Sequence, residues 1–233
     1  MNDKWLKFKH LLKSSFFPQT CLLCSASKGE GFGICKNCLD DLPHHTSCCP
    51  QCGLLSFEGQ LCGACIASPP DFDATKAAFT YEYPISQVLQ QYKYNQQLFL
   101  AETFAELMLQ KIQAQNIDLI IPMPLHPNRL QERGFNQSLE VSRIIGKHLN
   151  IRVNSQAVSR IKLSPPQASL PLKERVRNMK GPFICNEDLS VMRIALIDDV
   201  MTTGASLNAL AKAVKAKGAA HVECWLIART LAN

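Results

Sequence analysis

The stretch that decides the fold is RIALIDDVMTTGAS, which spans residues 193–206. It opens with an apolar run of the kind that fills a buried parallel strand. Two adjacent carboxylates, Asp198 and Asp199, end this run, and a loop of small and hydroxyl-bearing residues follows. From Ala205 to Lys217 apolar side chains recur at helical spacing, and Gly218 is placed to end the helix. The stretch therefore predicts a strand, an acidic pair, a turn and a helix.

The turn after the acidic pair has the features of a phosphate-binding site. A helix N-terminus presents unpaired N–H groups and the positive end of the helix dipole. Gly204 allows the backbone to approach an anion closely, and the hydroxyls of Thr202, Thr203 and Ser206 add donors. The neighbouring carboxylates can accept hydrogen bonds from sugar hydroxyls or hold Mg²⁺, directly or through water. A ligand with a 5′-phosphate, a ribose and a metal-bound pyrophosphate fits this pattern.

This stretch resembles the phosphoribosyl-pyrophosphate (PRPP) loop of type I phosphoribosyltransferases. The resemblance implies an α/β fold of that class, a mostly parallel sheet flanked by helices. It also implies that Asp198 and Asp199 are catalytic residues that bind the ribose. The residues that it assigns to the 5′-phosphate of PRPP are Met201, Thr202, Thr203, Gly204, Ala205 and Ser206. The alternative is a surface turn of an α/β domain, or an acidic pair that serves another nucleotide fold.

The composition limits the classes of protein to which the chain can belong. The chain has 233 residues, of which 46% are hydrophobic, enough for one medium domain, a small second one and a packed core. Its net charge of +6 arises from 25 basic and 19 acidic residues, so affinity for nucleic acid requires clustered charges. Lysines interrupt the N-terminus and no apolar run reaches the length of a membrane span, so we expect neither a signal peptide nor a transmembrane segment.

Eight of the eleven cysteines form four CxxC pairs, which predict a zinc-ribbon module at residues 21–68 of a protein in a reducing cytosol. One CxxC knuckle presents two thiolates to a metal, and two knuckles complete a tetrahedral site. The simplest pairing joins the first knuckle with the second and the third with the fourth, giving two structural zinc ions. A crossed arrangement, a single filled site and redox-active CxxC motifs stay open. The predicted ligands are Cys21, Cys24, Cys35, Cys38, Cys49, Cys52, Cys62 and Cys65.

The chain divides into three predicted parts. Residues 1–20 place apolar side chains near one helical face between lysines, which indicates an amphipathic helix. This helix either packs on the parent protein or lies on a membrane or nucleic acid. The cysteine module follows, and a Ser-Pro-Pro linker leads into the main domain at residues 71–233. Further strands of that domain are predicted at 74–83, 118–121 and 221–227.

A second loop of the main domain follows the short strand that ends at Ile121. Type I enzymes place their pyrophosphate-contacting loop after such a strand, and the resemblance assigns that loop to Met123, Pro124, Leu125 and His126. Two prolines fix this turn, and a fixed turn presents backbone N–H groups to anions. Arg129 and Arg133 lie four residues apart, so they share one face if the segment is helical. They either bind phosphate through their forked guanidinium groups or carry surface charge.

A basic segment at residues 160–183 contains Lys173, Arg175 and Arg177. It sits where type I enzymes keep a flap over PRPP that excludes water. It is equally a strip that can follow a nucleic-acid backbone, or a solvated charged face. The sequence does not separate these roles.

The motifs together resemble one subfamily, the competence protein F family (ComF, ComF/GntX-like). The resemblance rests on the Pro-x-Pro-Leu-His loop, the string RGFNQ at Arg133–Gln137, the acidic-pair loop and the cysteine module, and it covers almost the whole chain. It implies a cytoplasmic factor for DNA uptake in natural transformation, which binds single-stranded DNA and works with other DNA-uptake proteins. The implied ligand is PRPP or a related sugar phosphate, bound with Mg²⁺.

An enzyme is the alternative function. It would transfer the 5-phosphoribosyl group of PRPP to a nitrogenous base and release pyrophosphate. Purine-salvage members of the type I family carry an extra Asp three residues after the second acid, and this chain has Thr202 there. The resemblance therefore does not extend to a 6-oxopurine acceptor, and no segment of the sequence identifies another base.

Overall fold

A computed structural model describes residues 20–26, 33–94, 99–112, 114–161 and 181–231. The chain divides into two compact units, Met1–Pro43 and His44–Asn233. The predicted N-terminal helix lies outside the described residues except for Thr20, and so do Lys173, Arg175 and Arg177. The division into three parts at residues 1–20, 21–68 and 71–233 stays a prediction.

The first unit contains the first two CxxC pairs. Helix α1, Lys36–Asp40, begins directly after Cys35. Ile34 and Leu42 are buried, and the backbone N–H of Leu22 donates to the Gly33 carbonyl at 2.9 Å. This segment has few apolar side chains, so a bound metal would supply much of its folding free energy.

The second unit begins with the other two CxxC pairs and continues into a β-sheet. The cysteine segment contains a 3₁₀ turn at Phe57–Gly59 and helix α2, Gly63–Ala67. The strands are β1 Ala74–Thr80, β2 Leu119–Pro122, β3 Arg152–Val153, β4 Val158–Arg160, β5 Phe183–Cys185, β6 Arg193–Met201 and β7 His221–Arg229. Five of them form a parallel sheet in the order β1-β7-β6-β2-β3, and β4 pairs with β5 in a separate antiparallel ribbon.

Helices alternate with these strands. They are α3 Ile85–Tyr94, α4 Phe99–Lys111, α5 Pro127–Arg133, α6 Gln137–Leu149 and α7 Ala205–Lys215. The mostly parallel sheet flanked by helices confirms the predicted fold class. Within the described ranges, every helix is too short or too polar to cross a membrane.

Strand β6 is longer than the sequence indicates. It continues through the acidic pair to Met201, because β7 pairs beside it as far as the register Met201↔Arg229. The apolar residues of its first half are fully buried between β2 and β7. Parallel strands bring their carboxyl ends to one edge, so the ends of β2, β6 and β7 lie together there. That edge is where ligands bind in open α/β sheets.

Candidate functional site

The two carboxylates near the end of β6 contact different helices. Ser138 Oγ, in the first turn of α6, donates to Asp198 Oδ1 at 3.1 Å. The backbone N–H of Asp199 donates to the same oxygen at 2.9 Å. Lys93 is the next-to-last residue of α3, and its Nζ lies 3.0 Å from Asp199 Oδ2. A hydroxyl and an ammonium group therefore fix the orientation of the acidic pair, and neither residue was identified from the sequence.

The environment of Asp198 changes its acidity. Burial is the largest cause that raises the pKa of Asp198 to about 7, and the negative charge of Asp199 is the second. The hydrogen bonds from Asp199 N and Ser138 Oγ and the positive charge of Lys93 oppose this rise. Asp198 therefore changes its protonation state near neutral pH, which is a property of groups that exchange protons with a ligand.

The loop after β6 has the conformation that a phosphate site needs. Gly204 adopts a left-handed φ of +80° and precedes the first residue of α7. Thr203 Oγ1 accepts from the Ala205 N–H at 3.3 Å, and the side chains of Thr202, Thr203 and Ser206 are exposed. The loop thus presents hydroxyls beside the N-terminus of an eleven-residue helix. Met201 differs from its neighbours because its side chain is buried.

The loop after β2, which pairs with β6, has few backbone N–H groups left to bind an anion. Met123 and Pro124 are buried, and the Met123 N–H donates to the Ile197 carbonyl at 2.8 Å. Proline has no N–H, so the donors that remain in this loop are those of Leu125 and His126. The His126 ring accepts from Asn128 N at 3.3 Å and caps α5.

The string Arg133–Gln137 connects this loop to the helices. Gly134, with φ +75°, ends α5, and Asn136 caps α6 by accepting from the Leu139 N–H at 3.2 Å. The side-chain amide of Asn136 also donates to the Met123 carbonyl at 3.0 Å. The string therefore fixes the loop after β2 to the start of α6.

Gln137 extends these connections to Lys93. It is almost fully buried, and its side chain accepts from Arg133 Nη1 at 3.2 Å and donates to the Lys93 carbonyl at 3.4 Å. Tyr92 Oη donates to the Gln137 carbonyl at 3.0 Å. Because burial leaves Gln137 no water to bond, these contacts fix the backbone of α3 at the position where Lys93 meets the acidic pair.

Two basic side chains, Arg129 and Arg160, lie close enough for their charges to interact. The segment that carries Arg129 and Arg133 is helical, as α5, and Arg129 is half exposed, with its Nε 4.0 Å from Glu132 Oε2. Arg160, at the end of β4, lies with its Cζ 5.5 Å from the ring centre of Phe183. Burial lowers the pKa of Arg160, the charge of Arg129 adds to this effect and that of Asp198 opposes it. Within the described part of the chain, Arg160 Nε is buried without a hydrogen-bond partner.

The cysteines form two four-thiol clusters with the sequential pairing. The first contains Cys21, Cys24, Cys35 and Cys38, and the second contains Cys49, Cys52, Cys62 and Cys65, with all sulfurs of each cluster within 4.8 Å of one another. Sγ–Sγ distances of 3.9 Å for Cys24–Cys35 and 3.6 Å for Cys52–Cys62 bracket the value of about 3.8 Å for thiolates on a tetrahedral zinc.

Backbone donors stabilise the thiolate form of one cysteine in each cluster. The N–H of Cys35 lies 3.3 Å from Cys21 Sγ, and that of Cys62 lies 3.4 Å from Cys49 Sγ. Burial alone would raise the pKa of Cys21 and Cys49. Hydrogen bonds from backbone N–H groups outweigh this effect, and the pKa of each thiol is lowered to about 6. Thiolates are the form that binds zinc, so the two clusters fit structural zinc.

We expect protein purified without a chelator to contain two zinc ions per chain, one for each cluster. Replacing Cys21 and Cys24 by Ser should reduce this content to one, as measured by inductively coupled plasma mass spectrometry. Cys48 is outside both clusters and donates to the Thr46 carbonyl at 3.0 Å, so Cys48→Ser is the matched control and should keep both ions. A content below one zinc per wild-type chain would contradict the assignment.

Comparison with known proteins finds a zinc-ribbon family model and relatives that cover most of the chain. The family model of the double zinc ribbon domain matches residues 12–66. DNA utilization protein YhgH of Salmonella typhimurium is 31% identical over 223 residues, which cover 92% of this chain and 98% of that protein. Competence protein F of Haemophilus influenzae is 29% identical, with 92% and 99% covered. Competence protein ComFC of Bacillus subtilis is 26% identical, with 84% of both chains covered.

Solved structures with detectable similarity share less of the sequence. A purine phosphoribosyltransferase from Pyrococcus horikoshii is 19% identical, covers 60% of this chain and 84% of its own, and has a TM-score of 0.31. The allosteric regulatory enzyme of purine biosynthesis is 11% identical over 53% of this chain and 24% of its own, with a TM-score of 0.38.

Proposed function

The chain belongs to the family of DNA utilization protein YhgH and competence protein F, and on that premise we propose that it is a cytoplasmic DNA-uptake factor that binds both PRPP and single-stranded DNA. PRPP would bind at the carboxyl edge of the sheet, and DNA would contact the basic side chains beside it. Other proteins of DNA uptake would be its partners.

One observation is the main support for the PRPP site. Asp198 and Asp199 are oriented by Ser138 and Lys93 directly before a loop whose hydroxyls are exposed. Carboxylates orient sugar hydroxyls by accepting their hydrogen bonds, and the helix N-terminus attracts phosphate. A ligand that joins a phosphate to a ribose would use both features at once.

The leaving pyrophosphate and its Mg²⁺ would lie between the two loops. Asp198 and Asp199 would hold this ion, directly or through water, because Mg²⁺ prefers carboxylate, phosphate and water oxygens. The bound ion would neutralise charge on the pyrophosphate. The Leu125 and His126 N–H groups and the Arg160 guanidinium would bind the pyrophosphate oxygens.

Calorimetry tests the PRPP site. We expect PRPP with Mg²⁺ to bind the wild-type protein with a stoichiometry of one, and ribose 5-phosphate to bind more weakly because it lacks the pyrophosphate. Inorganic pyrophosphate with Mg²⁺ serves as the control for simple anion binding. No heat from PRPP at millimolar concentration, or equal affinity for PRPP and pyrophosphate, would contradict the proposed site.

Phosphoribosyl transfer is the second candidate function, and the raised pKa of Asp198 favours it. A group that titrates near pH 7 can accept a proton from a nitrogen nucleophile. In that reaction the bond from the nitrogen to C1 of the ribose forms while the bond from C1 to the pyrophosphate oxygen breaks. The proton lost by the nitrogen goes to the Asp198 carboxylate. Release of pyrophosphate with any member of a panel of bases would establish this activity.

Salt-dependent binding tests the DNA interface. We expect a labelled single strand to bind with an affinity that falls as salt rises, with a slope of about 0.7 for each neutralised phosphate. Replacing Arg129 and Arg133 together by Ala should reduce this slope by roughly 1.4. Arg143→Ala is the control, because Arg143 is exposed and contacts Glu140 at 2.7 Å on α6. A slope unchanged by the double substitution would remove α5 from the interface.

A further inference from the structure

Arg229, the last residue of β7, connects the phosphate loop to the second cysteine cluster. Its side chain is only 3% exposed. Nη1 donates to the carbonyl oxygens of Met201, at 3.0 Å, and of Thr202. Nε donates in another direction, to the carbonyl of Cys52 at 2.9 Å. Cys52 is one of the four thiols of the second cluster, so a single guanidinium bonds both elements.

A second set of contacts also connects the Cys52 knuckle with the phosphate loop. The Gln51 amide, one residue before Cys52, donates to the Phe72 carbonyl at 3.3 Å. The Phe72 ring is buried beneath the loop, since a Cβ placed on Gly204 would lie 4.0 Å from its Cζ. Thr75 on β1 donates through Oγ1 to the Gln51 carbonyl at 2.6 Å. The knuckle that contains Cys52 is thus also connected to the phosphate loop through Phe72.

The geometry favours arginine specifically at this position. Besides the carbonyl of the neighbouring Thr230, at 2.8 Å from Nη1, three carbonyl oxygens on two separate segments accept from one planar group. Lysine cannot reproduce this because its ammonium is a single point. The Met201 carbonyl is buried, and those of Thr202 and Cys52 are partly buried, so the guanidinium supplies donors where access for water is restricted. A knuckle that loses its metal would move the Cys52 carbonyl, and the guanidinium that also donates to Met201 and Thr202 would move with it.

We propose that Arg229 is a positioning residue that couples metal occupancy of the second cysteine cluster to the conformation of the phosphate loop. The functional part of this inference rests on the proposed PRPP site, because a loop in the correct conformation matters only if it binds a phosphate. The coupling is reciprocal: a ligand that stabilises the loop must also strengthen metal retention by the second cluster, by the same factor.

Amide hydrogen exchange of the loop tests the coupling without any ligand. The probes are the N–H groups of Asn208 and Thr230, which donate to the Gly204 and Met201 carbonyls at 2.8 and 3.0 Å and so report on the loop. In wild-type protein that holds zinc, removal of the metal by a chelator should accelerate their exchange by about tenfold or more. Arg229→Lys should show the faster exchange while zinc is still bound, and chelation should add little. Arg152→Lys is the matched control, because Arg152 on β3 is 67% exposed, and its loop exchange should equal that of wild type.

The two cysteine clusters give a second comparison. A variant with Cys21 and Cys24 replaced by Ser loses only the first metal, and its loop exchange should stay at the wild-type rate. Unchanged exchange after full chelation of the wild-type protein, or equal effects of the first and second metals, would overturn the proposal.

Ligand binding then separates this inference from the proposed function. Arg229→Lys should weaken Mg·PRPP binding about tenfold or more, and PRPP should slow zinc release from wild type but not from Arg229→Lys. If PRPP does not bind wild type while chelation still accelerates loop exchange, the coupling stands and the proposed PRPP site fails. If PRPP binds equally to both proteins and leaves zinc release unchanged, the coupling fails and the PRPP site stands.

Discussion

Asp198→Asn is expected to weaken Mg·PRPP binding by about 10- to 100-fold and to raise the melting temperature of the ligand-free protein. The loss follows from removing one charged hydrogen-bond acceptor for the ribose, a contribution of about 1.5–3 kcal/mol. The gain in stability follows because ionised Asp198 is partly buried beside a second carboxylate. Asn keeps an oxygen that can accept from Ser138 Oγ and Asp199 N, so the local hydrogen bonds survive.

The pH dependence gives the sign of both effects. Folding raises the pKa of Asp198 to about 7, from about 3.9 in the unfolded chain. The folded state therefore binds the proton more tightly, and this stabilisation is lost as pH rises towards and through 7. The advantage of Asp198→Asn in melting temperature should thus be larger at pH 8 than at pH 5. Wild-type affinity for PRPP should increase more between pH 6 and 8 than that of the variant.

The same substitution at the opposite edge of the sheet is the control. Asp188 is exposed before the start of β6 and accepts from Ser190 Oγ at 2.6 Å. Asp188→Asn should leave PRPP affinity unchanged over the same pH range. An Asp198→Asn protein with wild-type affinity, or with a lower melting temperature at pH 8, would contradict the assigned role of the acidic pair.

Local patterns predicted the parts of the site that are continuous in sequence. The acidic pair and its loop are recognisable because strand, turn and helix follow one another within fourteen residues, and the structure keeps that order. The cysteine pairs were equally readable, because the spacing of a CxxC knuckle is set by metal geometry. Strand β6 was longer than predicted because its end is determined by pairing with β7, a contact that its own residues do not encode.

The residues that the sequence did not reveal come from distant elements. Lys93 lies more than a hundred residues before Asp199, on a helix whose pattern marks only its apolar face. Ser138 directly follows the recognised string, so its place in the first turn of a helix was a usable signal. Arg229 is a charge at the end of an otherwise buried strand, which marks it as paired but does not identify the partners. Topology, rather than local pattern, brings these three side chains to the acidic pair and its loop.

Lys93→Met is expected to destabilise the protein by about 3–5 kcal/mol, the usual cost of leaving one member of a buried ion pair without its partner. Lys93 and Asp199 side chains are 20% and 13% exposed, and the Nζ–Oδ2 distance is 3.0 Å. Without the ammonium group, the negative charges of Asp198 and Asp199 would repel each other with less positive charge nearby to offset them. In a unit of this size the melting temperature should fall by roughly 6–20 °C.

A double variant separates the structural role of this pair from its role in binding. Adding Asp199→Asn to Lys93→Met removes both charges, so stability should return to within about 1 kcal/mol of wild type, while PRPP affinity should stay low. Lys215→Met is the matched control: Lys215 lies 2.7 Å from Asp73, but both side chains are about one third exposed. Exposed pairs contribute about 0–1 kcal/mol, so this variant should lose only a few degrees. If the double variant regained stability and bound PRPP like wild type, the Lys93–Asp199 pair would be purely structural, and ribose binding would have to rest on Asp198 alone.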